Sequence, residues 1–199
     1  NMLLFLDLGN KKKNLSSEKF INKASIGAFE LYFKKSKLIT NMGDIKQSND
    51  LNSSMSLAST AAHSTLSIDD RNNFDLSNNR KLEYLNVKKN INNLGDLIEV
   101  EHSGYNYAFG VNHKRTIFVK KNGLDLRGID EIISVKNSGI IPQEAKIRFH
   151  LSSNLNAFKL RNGKILLKHD DGLMFHFLST HNTKIEKTII FHDNVRYNS

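Results

Sequence analysis

Eight histidines and no cysteine define the chemistry open to this chain of 199 residues. Imidazoles and carboxylates are available for proton transfer or metal binding; disulfides, thiolate metal sites and cysteine nucleophiles are excluded. His63 lies in the run Ser59-Thr60-Ala61-Ala62-His63-Ser64-Thr65-Leu66, where small side chains leave space around an imidazole. A ligand pocket and a histidine bonded to a neighbouring loop both fit that context. His102 shares an alternating face with Ile98 and Val100, and His113 and Arg115 share the face of Val111, Ile117 and Val119, so polar groups among apolar ones need partners. Tyr105 and Tyr107 follow in the connecting turn. An aromatic ring there suits stacking on a sugar or a base, and equally a tyrosine corner that ties a hairpin. Arg148 and His150 project from one strand face, as an anion contact or as plain polar surface. His169, His176, His181 and His192 read as exposed strand ends or turns.

Other chemistries are disfavoured by what is missing. The chain has no phosphate-binding loop, dinucleotide fingerprint, HExxH helix, GxSxG elbow or RNA-binding aromatic signature. Asp69-Asp70 and Asp170-Asp171-Gly172 lack the spaced ligands of an EF-hand and read as turns. The net charge of +9, from 29 Lys and Arg against 20 Asp and Glu, favours a polyanionic partner. A Lys- and Asn-rich composition also follows from AT-rich coding. Nucleic acid is set aside for want of a recognition motif, and no apolar run approaches the roughly 18 residues of a membrane-spanning helix.

The elements that position these residues have the period of strands. Phe29, Leu31 and Phe33 alternate with Glu30, Tyr32 and Lys34, and Ile147, Phe149 and Leu151 alternate with Lys146, Arg148 and His150. Further strands are expected over 66–68, 81–87, 97–102, 109–120, 124–134, 157–160, 164–169, 173–178 and 184–192. Asn-rich stretches at 10–17, 44–56, 69–79, 89–93 and 137–143 read as loops. Asn122-Gly123, Asn162-Gly163 and Asp171-Gly172 supply the positive φ of tight hairpins. The expectation is one all-β domain over 1–199, an antiparallel two-sheet β-sandwich with little helix. A chain that opens inside a strand reads as the later part of a longer protein.

Several of these segments, in order, resemble the C-terminal domain of the heparinase II/III family of bacterial polysaccharide lyases. They include Phe5-Leu6-Asp7-Leu8-Gly9, Gly27-Ala28-Phe29-Glu30-Leu31-Tyr32-Phe33, Thr60-Ala61-Ala62-His63-Ser64-Thr65-Leu66, His102-Ser103-Gly104-Tyr105, Phe109-Gly110-Val111-Asn112-His113-Lys114-Arg115, Leu126-Arg127-Gly128-Ile129-Asp130 and Arg148-Phe149-His150-Leu151. The resemblance implies a sandwich of the supersandwich type packed on an N-terminal α/α toroid, which this chain would lack, with an active cleft between them. It implies β-elimination at a uronic acid in an acidic glycan such as a glycosaminoglycan, by a Tyr and an Asn of the toroid assisted by sandwich histidines. Bacterial periplasm and cytoplasm both remain open.

On that reading His63 and His102 are the candidate catalytic residues, and Tyr105, His113, Arg115 and Arg148 the candidate substrate-binding residues. A non-catalytic glycan-binding or structural module of the same fold is the alternative. The family also implies zinc, held by a His of a His-x-His pair, an Asp and the His of the Ala-His-Ser/Asn-Thr motif. Here the pair reads Ile21 and Lys23, the Asp position is Asn41, and His63 alone remains as a metal ligand. A cationic Lys23 repels a divalent ion, which argues against zinc in this chain and for a fixed positive charge in its place.

Overall fold

Alternation in the sequence becomes alternation in burial. The computed structural model describes residues 2–9, 23–43, 51–76, 82–136, 140–192 and 195–198. In β2 (Phe29–Phe33) the three apolar residues are buried, while Glu30 and Tyr32 are half-exposed on the other face. It pairs with β1 (Met2–Leu6) on one side and β3 (Ser36–Thr40) on the other. The short β10 (His150–Leu151) completes this four-stranded sheet in the order β1-β2-β3-β10.

A second four-stranded sheet is a meander of β5 (Leu85–Ile91), β6 (Gly95–His102), β7 (Val111–Lys120) and β8 (Leu126–Ser134). A third holds β11 (Leu155–Lys159), β12 (Ile165–His169) and β13 (Met174–Phe177). Two-stranded pairs join β4 (Leu66–Ile68) to β9 (Ala145–Ile147), and β14 (Ile189–His192) to β15 (Val195–Asn198). All these pairings are antiparallel. Among the described residues helix is confined to α1 (Leu51–Ala58), α2 (Asn106–Phe109) and a 3-10 turn at Thr60–Ala62. The fold is the expected all-β sandwich.

The three turns singled out by their Asn-Gly and Asp-Gly pairs join β7 to β8, β11 to β12 and β12 to β13. At the first, Lys120 N–H donates to Asp125 O at 2.9 Å and Gly123 N–H to Lys120 O at 2.7 Å. That closure fixes the register of the whole β7–β8 ladder.

Several expectations shift, among them the strand over 184–192, of which only Ile189–His192 is strand. The strand expected over 81–87 begins at Leu85 and runs to Ile91, through part of the expected 89–93 loop, because seven successive pairs with β6 outweigh local polarity. Phe109 closes α2 and does not open β7; Gly110 caps the helix at φ +66°. Part of the expected 44–56 loop is α1. The strand around Ile147 breaks into β9 on β4 and β10 on β3, with Arg148 N–H donating to Thr65 O between them. The expected loop at 10–17 lies outside the described residues.

Two apolar clusters hold the layers together. Phe29, Leu31, Phe33 and Leu38 of the first sheet meet Ile117 of the second and Leu155 of the third. Leu66, Ile68, Tyr105, Ala108, Phe109 and Val111 form the other, where α2 packs on β4. Fully burying each such large side chain contributes about 1.5–3 kcal/mol. Between these clusters lies polar material that the sandwich encloses.

Candidate functional site: a buried histidine chain and the loop of His63

Register builds the first part of the site. On the inner face of the meander, His102 lies directly opposite His113, and in the next row Arg115 lies directly opposite Asp130. Directly opposed residues sit about 4.5–5.5 Å apart at Cβ and diagonal ones about 7–8 Å, so side chains of this length can bridge both the pairs and the diagonal from His113 to Asp130. Gly104 N–H donates to His102 Nδ1 at 3.2 Å, His102 Nε2 meets His113 Nδ1 at 3.0 Å, and His113 Nε2 meets Asp130 Oδ1 at 2.7 Å. The carboxylate accepts only, so His113 carries its proton on Nε2. Its Nδ1 then accepts from His102 Nε2–H, and His102 Nδ1 is left to accept from Gly104. One arrangement of protons satisfies every member with both imidazoles neutral.

Arg115 closes the chain. Its Nε donates to Asp130 Oδ1 at 2.7 Å and its Nη2 to Oδ2 at 3.1 Å, a two-pronged pairing. Its Nη1 reaches across the sandwich to Gly27 O at 2.7 Å and Ser64 O at 2.9 Å, and the guanidinium lies over the Phe29 ring. Burial alone raises the Asp130 carboxyl, but the His113 hydrogen bond and the Arg115 charge more than offset it and hold its pKa at about 2. Burial pushes His102 well below the usual imidazole range, with the His113 and Arg115 charges acting in the same direction. It also lowers His113, against the pull of Asp130.

His63 lies on the loop that Arg115 grips. Its Nδ1–H donates to Ser59 O at 2.7 Å, which leaves the lone pair on Nε2. Burial lowers its pKa; the Ser59 carbonyl opposes this and the Lys23 charge adds to it. Asn41 reaches the same loop by accepting from Ser64 N–H at 3.0 Å, and its amide N–H donates to Glu30 Oε1 at 3.4 Å. His150 faces inward: its N–H donates to Ser64 Oγ and its Nε2–H to Ala61 O, each at 2.9 Å.

His63, His102, Tyr105, His113 and Arg115 are all buried, none more than 3% exposed. The Tyr105 hydroxyl donates to Leu66 O at 2.7 Å, and burial raises its pKa. Arg148 alone among the six candidates keeps substantial exposure; it bonds Ser67 Oγ and pairs with Asp70 at 3.0 Å. Arg148 and His150, read in the sequence as projecting together, therefore face different surroundings. His169, read as exposed, is buried against the turn it precedes, with Nδ1 at 2.9 Å from Asp171. Asp130 was missed. Its signal was the Asn122-Gly123 turn, whose register sets Asp130 opposite Arg115.

The donors around His63 do not suit zinc. Lys23 offers an ammonium where a ligand needs a lone pair, and Asn41 already uses its carbonyl on Ser64 and its amide on Glu30. No group of three or more His, Cys, Asp or Glu side chains able to hold a metal ion occurs among the described residues. Ile21 lies outside those residues.

The buried histidines make stability depend on acid. His150 titrates at about 4, below the ordinary 6.5, chiefly because burial disfavours its charged form. The unfolded chain takes up that proton near 6.5 and the folded chain only near 4. The contribution is therefore complete above pH 6.5 and is lost as pH falls toward 4, about 3 kcal/mol in all. Urea midpoints measured from pH 7 to 4 should fall with acid, and His150→Gln should flatten that dependence by one proton. An unchanged slope in the variant refutes the assignment.

Comparison with known proteins accords with this architecture. The profile of the family described as "Heparinase II/III-like, C-terminal" matches residues 2–197. A solved heparinase III gene product superposes with a TM-score of 0.69 at 17% identity, covering 98% of this chain and 28% of that one. A heparan sulfate lyase mutant from Pedobacter heparinus gives 0.66 at 18% identity, over 90% of this chain and 27% of that one. This chain thus spans a little over a quarter of those proteins. No curated protein sequence matches it. No described helix is long and apolar enough to cross a membrane. With a family profile that runs over nearly every residue and a sandwich of the same shape, the chain belongs to the heparinase II/III-like C-terminal family.

Proposed function

We propose that this chain is the β-sandwich domain of a polysaccharide lyase that cleaves uronate-containing acidic glycans by β-elimination, lining a cleft completed by an N-terminal α/α toroid. The observation that carries this reading is the family match over residues 2–197. The solved relatives named as heparinase III and heparan sulfate lyase point to a glycosaminoglycan as the glycan class. The net charge of +9 suits a polyanionic substrate.

The elimination removes the proton beside the uronate carboxylate, forms a carbon–carbon double bond and expels the glycosidic oxygen, which takes up a proton. Charge on the carboxylate must be neutralised and the leaving oxygen protonated. His63 is the proposed catalytic group. Its pKa is lowered, which favours a neutral imidazole with Nε2 free to exchange a proton. Arg148, the most exposed of the candidates, is the proposed carboxylate or sulfate contact. Hydrogen bonds within the protein that occupy their polar groups support a positioning role for His102, Tyr105, His113 and Arg115, of which Arg115 grips the His63 loop at Ser64 O.

The full-length protein, incubated with heparan sulfate and other uronate polysaccharides, should release unsaturated product absorbing in the ultraviolet. His63→Ala should lower kcat by about a hundredfold or more with the fold intact by circular dichroism. Glycan binding without product would overturn the lyase reading in favour of a binding module.

A further inference from the structure

Two positions, 23 and 41, reach the loop at 59–65 that carries His63, each from a separate part of the chain. Ala24 N–H donates to Ala58 O at 2.8 Å and Thr60 Oγ1 donates to Ala24 O at 2.8 Å, which lays Lys23 alongside the start of the loop. His63 turns back onto Ser59 at that same place. Asn41 arrives from the end of β3 and holds Ser64 N–H. The positions that would offer an imidazole and a carboxylate beside His63 thus carry an ammonium and an engaged amide.

The loop is nevertheless fully fastened. Met42 N–H bonds Ala62 O at 2.9 Å, Thr60 N–H bonds Asn72 Oδ1 at 2.8 Å, Ser64 Oγ donates to Thr40 O at 2.7 Å, and Thr65 Oγ1 donates to Ile26 O at 3.2 Å. With Arg115 on Ser64 O, protein groups fix the loop from four directions, and nothing in its geometry calls for an ion.

We propose that this chain holds the His63 loop without a metal ion, position 23 carrying an ammonium and position 41 an amide already engaged by Ser64 and Glu30, so that Lys23→His with Asn41→Asp creates a zinc site there. The inference does not rest on the lyase reading, since it concerns what holds the loop and not what the loop does.

The test uses zinc itself on the full-length protein. Wild type, exposed to zinc and dialysed, should retain none through His63, and its melting temperature should be the same in zinc and in EDTA. The double variant should retain about one zinc per chain and melt several degrees higher in zinc than in EDTA. Stoichiometric zinc in wild type that disappears in His63→Ala overturns the proposal. So does a double variant that is folded by circular dichroism yet indifferent to zinc. Should the double variant fail to fold, the wild-type zinc content and its His63→Ala control decide alone.

Discussion

Replacing Asp130 by Ala is expected to destabilise the protein by about 3–5 kcal/mol, because it strands a buried cation. Arg115 is 3% exposed and spends Nε and Nη2 on that carboxylate. Without it the guanidinium has no counter-charge, and His113 Nε2–H loses its only acceptor in the chain of four side chains. Both deficits fall on side chains no more than 3% exposed. For a domain of this size the loss lowers the melting temperature by on the order of 10 °C.

The effect should depend on breaking the pair and not on losing its charge. Arg115→Met with Asp130→Leu removes both ions and should recover much of the loss, since well-packed apolar replacements of a buried pair are often neutral. Asp130→Asn should fall between, because an amide keeps one acceptor but turns an N–H toward Arg115 or His113. Urea unfolding of the three variants checks the order. A midpoint for Asp130→Ala within about 1 kcal/mol of wild type would show that the pair is solvated and that the His63 loop does not depend on it.

Gly104→Ala should be at least as damaging. A Cβ there would lie 2.0 Å from Asn73 O and 2.8 Å from His102 Nδ1. One neighbour is backbone and the other a buried ring, so neither yields without moving β6 or the segment of Asn73. Moving Gly104 also removes the N–H that His102 Nδ1 accepts, and with it the feature that assigns protons along the histidine chain. The expected cost is about 3 kcal/mol or more, at or above the top of the usual overpacking range because neither neighbour can give way. Gly128→Ala is the control: its Cβ would meet only Thr116 O at 3.9 Å, an ordinary contact, and should cost no more than a fraction of this. Soluble Gly104→Ala protein with a wild-type urea midpoint would refute the packing described here.

The candidate site was legible in part. The residue types on the inner face of β6 and β7 stood out as polar among apolar, and the demand that they find partners was met by the partners on the adjacent strands. Asp130 escaped notice because it lies among Ile129, Glu131 and Ile132, where nothing local marks it as inward-facing. The register set by Asn122-Gly123 would have revealed it. Tyr105 was open between a stacking platform and a structural tie; its hydroxyl bonds the backbone of β4, a strand far away in sequence. His150 and Arg148 alternate correctly along the chain, but a break between β9 and β10 cancels the shared face that alternation implies.

Strand periodicity, turn chemistry and the absence of thiols are local properties, and they were enough to establish an antiparallel all-β chain and the list of groups able to do chemistry. Which of those groups meet water is not local. It depends on Gly27, Ser64 and Phe29 arriving from distant parts of the chain to cover Arg115, and on β4 covering Tyr105. Burial is created by pairs of sheets and not by either one. Long-range packing therefore decided that five of the six nominated side chains stand behind the surface, and that Lys23 and Asn41 are brought to the loop of His63.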